Sequence, residues 1–111
     1  MSVNLNRKPS KKDLYRHGDV LVEQVNGIPA DAVKQTHLVL AEGELTGHVH
    51  RIAEKDSAEL YRQGSNLYLR VLRTAATLVH QEHGPISLPQ GEYRIWRQRE
   101  YSPREVRVVR D

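Results

Sequence analysis

An all-β fold, either a small antiparallel β-barrel or a two-sheet sandwich, is what this sequence predicts, and three observations carry the prediction. Short runs rich in Val, Leu, Ile, Tyr and Thr recur along the chain. Glycine and proline interrupt them roughly every 8 to 12 residues. No segment sustains the 3.6-residue apolar period of an amphipathic helix. With 111 residues and a mass of 12.8 kDa, the chain has the size of one domain around one core.

The first twelve residues, MSVNLNRKPSKK, are polar, hold Pro9 and show no apolar periodicity. We read residues 1–12 as a flexible basic arm and residues 13–111 as a single β domain. Strands are predicted over Asp19–Val25, Thr36–Ala41, Gly47–Ala53, Ala58–Arg62, Asn66–Leu72, Ala75–Gln81 and Glu92–Gln98, with a weaker one over Val106–Val109. Each is bounded by a turn signal: Gly27–Pro29, Glu42-Gly43, Gly64–Asn66, Gly84-Pro85 or Pro89–Gly91. Gly64-Ser65 between two alternating runs predicts a tight hairpin, and Pro89-Gln90-Gly91 predicts a turn leading into the strand at Glu92. Ser102-Pro103-Arg104-Glu105 has the N-cap and first-turn proline of a short helix.

Composition excludes several chemistries. There is no Cys, so no disulfide scaffold, thiol nucleophile, iron–sulfur cluster or thiolate metal site can form. Nothing resembles a Gly-x-Ser-x-Gly elbow, a phosphate loop or a dinucleotide fingerprint. No window approaches 18 apolar residues, and the start lacks the apolar core of a signal peptide, so we expect a cytoplasmic protein with no membrane span.

The formal net charge is +3, and its distribution says more than its total. Residues 1–12 carry +4 through Arg7, Lys8, Lys11 and Lys12; residues 93–111 carry +3; the stretch between carries −4. Basic ends on an acidic body suit an anionic partner: nucleic acid, or a larger protein or nucleoprotein assembly. Within the C-terminal run, alternation places Arg94 and Trp96 on one face and Arg97 on the other, with Arg99 further on. Arg beside Trp is favoured at interfaces and stacks on bases, and also occurs where core aromatics lie under snorkelling arginines. An exposed strand edge would also permit a homodimer.

Four of the six histidines form two pairs: His48-Val49-His50 and His80-Gln81-Glu82-His83. Alternate residues of a strand share a face about 6.6 Å apart, so His48 and His50 can converge on one ion. Ile52 continues their face and marks it as inward. Alternation likewise places His80 with Ala76 and Leu78, while the direction of His83 depends on the bend at Gly84-Pro85. Imidazole nitrogens without thiolates suit Zn, Fe, Ni or Mn in an open centre better than a closed structural zinc site. Glu54 and Glu82 are the candidate proton carriers, with Glu44 also near in sequence, and His17 and His37 read as structural.

These residues resemble the cupin superfamily of small β-barrels. The likeness rests on Gly43 ahead of His48-Val49-His50, on Glu54 and Gly64 after them, and on a second segment from Gly84 to Arg94 containing Pro89-Gln90-Gly91. It spans about residues 43–98 and implies a barrel with a metal ion held by the first-motif histidines. Arg94 stands where that family's third histidine falls, so His80 or His83 would complete such a site from a neighbouring strand. The HGDVL and GELTGHVHRI phrases also resemble those of small bacterial or phage proteins. Two functions follow as expectations: a metal-binding barrel centred on His48, His50, His80 and His83, whose ion would act as a Lewis acid or activate water if the protein is an enzyme, or a non-catalytic accessory module that docks through its basic arm and Arg-rich segment.

Overall fold

The computed structural model describes residues 13–43 and 47–100. They form eight strands: β1 (Leu14–His17), β2 (Val20–Val25), β3 (Val33–Lys34), β4 (Val39–Glu42), β5 (Val49–Ile52), β6 (Ala58–Gln63), β7 (Asn66–Val79) and β8 (Ile86–Arg97). A single 3-10 turn, Gln98–Glu100, is the only helical element among the described residues. All pairings are antiparallel, in the order β1-β2-β8-β7-β5-β4. Strand β7 forks the sheet: its first half pairs with β6, which carries β3, and its second half pairs with β5. The sheet curls on itself as a half-barrel, so the predicted antiparallel all-β class is what the chain adopts.

Alternation sets the inner face. Val20 and Val22, Leu60, Leu69 and Val71, Ala76 and Leu78, and Tyr93 and Ile95 point inward and are all less than a tenth exposed. Together with Leu40, Ile52, Ala58 and Leu88 they form the core. The opposite face carries paired polar and aromatic groups. Arg94 lies over the Trp96 ring at 3.7 Å and hydrogen-bonds Asn66; Trp96 Nε1 donates to Glu23 at 3.0 Å; Arg70 bridges Glu92 and the Tyr61 hydroxyl.

The predicted boundaries need several corrections. Asn66–Leu72 and Ala75–Gln81 are one continuous strand, β7, because the break between them is a register irregularity and not a turn. Val71 pairs with Gly91 and Ala75 with Pro89, so Leu72-Arg73-Thr74 bulges opposite Gln90 alone. Proline and glycine at 89–91 therefore lie within β8, opposite a bulge in β7, instead of forming a loop. The strand predicted over Thr36–Ala41 begins later, as β4 at Val39, the two-residue β3 precedes it at Val33–Lys34, and β1 precedes the first predicted strand. The hairpin at Gly64-Ser65 forms as expected: Gln63 pairs with Asn66 around a two-residue loop with Gly64 at φ +62°, a conformation glycine adopts without strain. The arm, the Val106–Val109 strand and the Ser102–Glu105 helix lie outside the described residues.

The bulge gives a local prediction. The buried Tyr93 hydroxyl donates to the carbonyl of Pro89 at 2.5 Å and ties the segment opposite the bulge to the core. Tyr93→Phe keeps the ring and loses this bond, and is expected to lower stability by about 1 kcal/mol. Urea unfolding reads it directly; an unchanged midpoint would mean that the bond contributes nothing net.

Candidate histidine centre

Five of the six histidines gather at one end of the half-barrel. His17 closes β1, His48 and His50 enter β5, and His80 and His83 lie in the connector between β7 and β8. The strand order brings these distant segments together: β5 and β8 flank β7, while β1 and β2 reach the same end from beyond β8. Ring centroids lie 4.3 Å apart for His50 and His80, 4.7 Å for His80 and His83, 5.0 Å for His17 and His50, and 5.5 Å for His48 and His80. The cluster borders a cavity of about 170 Å³ that Asp19, Glu42, Glu82 and Arg97 also line.

A chain of hydrogen bonds fixes two of the rings. His17 Nε2 lies 3.0 Å from the Gly84 carbonyl, which can only accept, so His17 carries its proton there. Its Nδ1 then presents a lone pair, 2.9 Å from His50 Nδ1. His50 must donate across that gap, which leaves the lone pair of His50 on Nε2. That nitrogen faces Asp19 Oδ1 at 3.6 Å. Two electron-rich atoms thus face each other on the rim of the cavity.

Protonation of His50 does not resolve this at neutral pH. Burial, reinforced by His80 and His17, pushes its pKa down to about 4, although Asp19 acts in the opposite direction. His17 is also lowered, chiefly by burial, against the Gly84 hydrogen bond that raises it. His80 is lowered by burial and then by His83 and His48.

The remaining predicted site residues divide. His48 Nδ1 lies 3.6 Å from Glu82, whose side chain is largely exposed. His80 Nδ1 accepts from the Glu82 amide at 2.9 Å, which places the proton of the neutral ring on Nε2. Among the described residues, no three His, Asp or Glu side chains are placed so that together they could hold a metal ion as they stand. Glu54 does not line the cavity. Its carboxylate accepts from the Thr77 amide and hydroxyl at 2.8 and 2.6 Å, and those bonds hold its pKa below the usual range. Glu54 is therefore occupied elsewhere and poorly suited to carrying a proton. His37 accepts from the Val39 amide and does not line the cavity.

Arg97, expected as a partner contact, lines the cavity. It reaches Asp19 Oδ2 at 3.4 Å and the Glu42 carbonyl at 2.8 Å, linking the start of β2 to the end of β4. Arg94 and Trp96 stack on the opposite face, and Arg99 is exposed in the 3-10 turn. Arg7, Lys8, Lys11 and Lys12 fall outside the described residues. Sequence reading missed His17 and Asp19, which share the segment His17-Gly18-Asp19; the available signal was the alternation of Tyr15 and His17 against Leu14 and Arg16 just ahead of that turn.

Fold and cluster define a class: a small curled antiparallel β-domain with a histidine-lined cavity at one end. Residues 16–98 match the family described as Domain of unknown function (DUF8820), and the chain belongs to that family. No curated protein and no solved structure matches it. No helix among the described residues is long and apolar enough to cross a membrane.

Proposed function

We propose that this domain binds a divalent transition metal ion, Zn, Fe, Ni or Mn, at the histidine cluster. The observation that carries the reading is the pair formed by His50 Nε2 and Asp19 Oδ1, two lone-pair donors 3.6 Å apart. Two donors each about 2.1 Å from a tetrahedral ion stand about 3.4 Å apart, so a cation between them removes the repulsion with little movement. His17 supports the pair by fixing the His50 ring, as the carbonyl-bound partners of metal-ligating histidines do. His48, His80 and His83 are the nitrogen donors at hand to complete the set. For His80 this requires giving up its bond to the Glu82 amide.

The resemblance to cupins and the lack of thiols are consistent with a site of nitrogen and oxygen ligands. An ion left with an open position would supply Lewis acidity or a bound water, and Glu82 is then the nearby carboxylate suited to proton transfer.

Metal analysis of protein purified without a histidine tag tests the proposal, together with the visible absorption of the Co(II)-substituted form. Near-stoichiometric metal is expected in the wild type and in His37→Ala, with none retained by His50→Gln. His17→Ala is expected to weaken binding roughly 10- to 100-fold, as loss of an orienting partner does. Folded wild-type protein that takes up none of the four metals overturns the proposal; so does a His50→Gln variant that binds as well as wild type.

A further inference from the structure

A second cavity, larger than that of the histidine centre, has no part in it. It is an open cleft of about 800 Å³ between the segment from Lys34 to Val39 and the segment from Arg51 to Leu60. Its volume falls within the range of small-molecule sites. The core residues Ile52, Ala58 and Leu60 lie beneath its floor, buried to 3%, 6% and 0% exposure. Leu38, packed on that core, extends the apolar lining, and Leu72 stands at the edge with 42% of its surface exposed.

The charges around this wall are unbalanced. Both acids that line the cleft already face cations: Glu59 is 3.2 Å from Lys34 and 3.8 Å from Arg70, and Asp56 is 4.0 Å from Arg73. Arg51 and Lys55 line the same cleft and form no ion pair among the described residues. An apolar wall bordered by two cations with no ion pair among the described residues is complementary to a ligand with an apolar body and one anionic end.

We propose that this cleft binds an amphipathic organic anion, an aliphatic monocarboxylate, with its chain against Leu38 and Leu72 and its carboxylate at Arg51 and Lys55. The inference is independent of the metal centre. The guanidinium suits a carboxylate through paired N–H donors, and Lys55 adds a point charge that tolerates a range of head positions.

Calorimetric titration of the full chain with dodecanoate and with dodecanol, both below their aggregation limits, tests it. Saturable one-to-one binding of dodecanoate is expected, with dodecanol at least about tenfold weaker and His50→Gln binding dodecanoate as wild type does. Arg51→Gln and Lys55→Gln should each weaken dodecanoate binding and leave dodecanol unchanged. Lys55 lies in a surface turn, so its variant reports even if Arg51→Gln disturbs β5. Absent or unsaturable binding, equal affinity for the alcohol, or an unaltered Lys55→Gln variant overturns the proposal.

Discussion

Metal-free protein is expected to lose stability as the pH falls from 7.5 to 4, with His50 alone contributing about 3 kcal/mol to the loss. The sign follows from the direction of the shift. Burial and neighbouring imidazoles lower the His50 pKa from 6.5 to about 4. Well above pH 6.5 the ring is neutral in both folded and unfolded chains and contributes no pH dependence. Between 6.5 and 4 the unfolded chain takes up a proton that the folded one refuses, so unfolding is favoured increasingly until the folded ring also titrates. His17 and His80 are shifted in the same direction and add to the effect.

The carboxylates held low by hydrogen bonds, Glu54 and Glu59, lose their contribution only as the pH falls through and below 4.5, their ordinary value. The interval from 6.5 to 4.5 therefore isolates the histidines. Urea midpoints at several pH values measure the slope, and His50→Gln should flatten it. A wild-type profile that is level from pH 7.5 to 5 would remove the physical basis for a neutral His50. Saturating Zn(II) at pH 7.5 should raise the midpoint, since an ion that binds only the folded chain stabilises it.

Local patterning made the strands legible, because an inward face of Val22, Leu60, Leu69 and Leu78 leaves a period of two in the sequence. It also aimed His50 and Ile52 inward, and both are nearly inaccessible, at 4% and 3% exposure. What local patterning cannot supply is which segments meet. His17 and Asp19 lie more than thirty residues from His50 in sequence, and only the strand order β1-β2-β8-β7-β5 brings them against it, His17 at 2.9 Å and Asp19 at 3.6 Å. The places of Arg97 and Glu54 have the same origin. Arg97 continues the inward alternation of Tyr93 and Ile95 until it emerges at the cavity, whereas Glu54, just after β5, is captured by Thr77 across the sheet. At Pro89-Gln90-Gly91, residues typical of turns lie within a strand opposite a bulge, a distinction set by the register of β7 and invisible within β8 itself.

Gly18→Ala is expected to damage the fold and the histidine centre in separable amounts. Gly18 turns the chain from β1 to β2 at φ +64°, where an L-residue costs roughly 1–2 kcal/mol. An added Cβ would also stand 2.6 Å from His83 Nε2, 2.9 Å from His83 Cδ2 and 3.2 Å from His50 Cε1. The two neighbours differ in their freedom to move. His83 is exposed in the β7–β8 connector and can swing away at small cost in stability, whereas His50 is buried and bonded to His17. The steric conflict should therefore displace the donor that can move, and appear mainly as lost metal affinity, while the backbone strain appears in unfolding. Asn separates the two effects, because its side chain tolerates the left-handed conformation better than Ala yet still carries a Cβ. Gly18→Asn should approach wild-type urea stability while sharing the affinity loss of Gly18→Ala, about tenfold or more for Co(II) followed by its absorption. If Gly18→Ala keeps both its midpoint and its Co(II) affinity, the close approach of His83 to this turn has no part in shaping the centre.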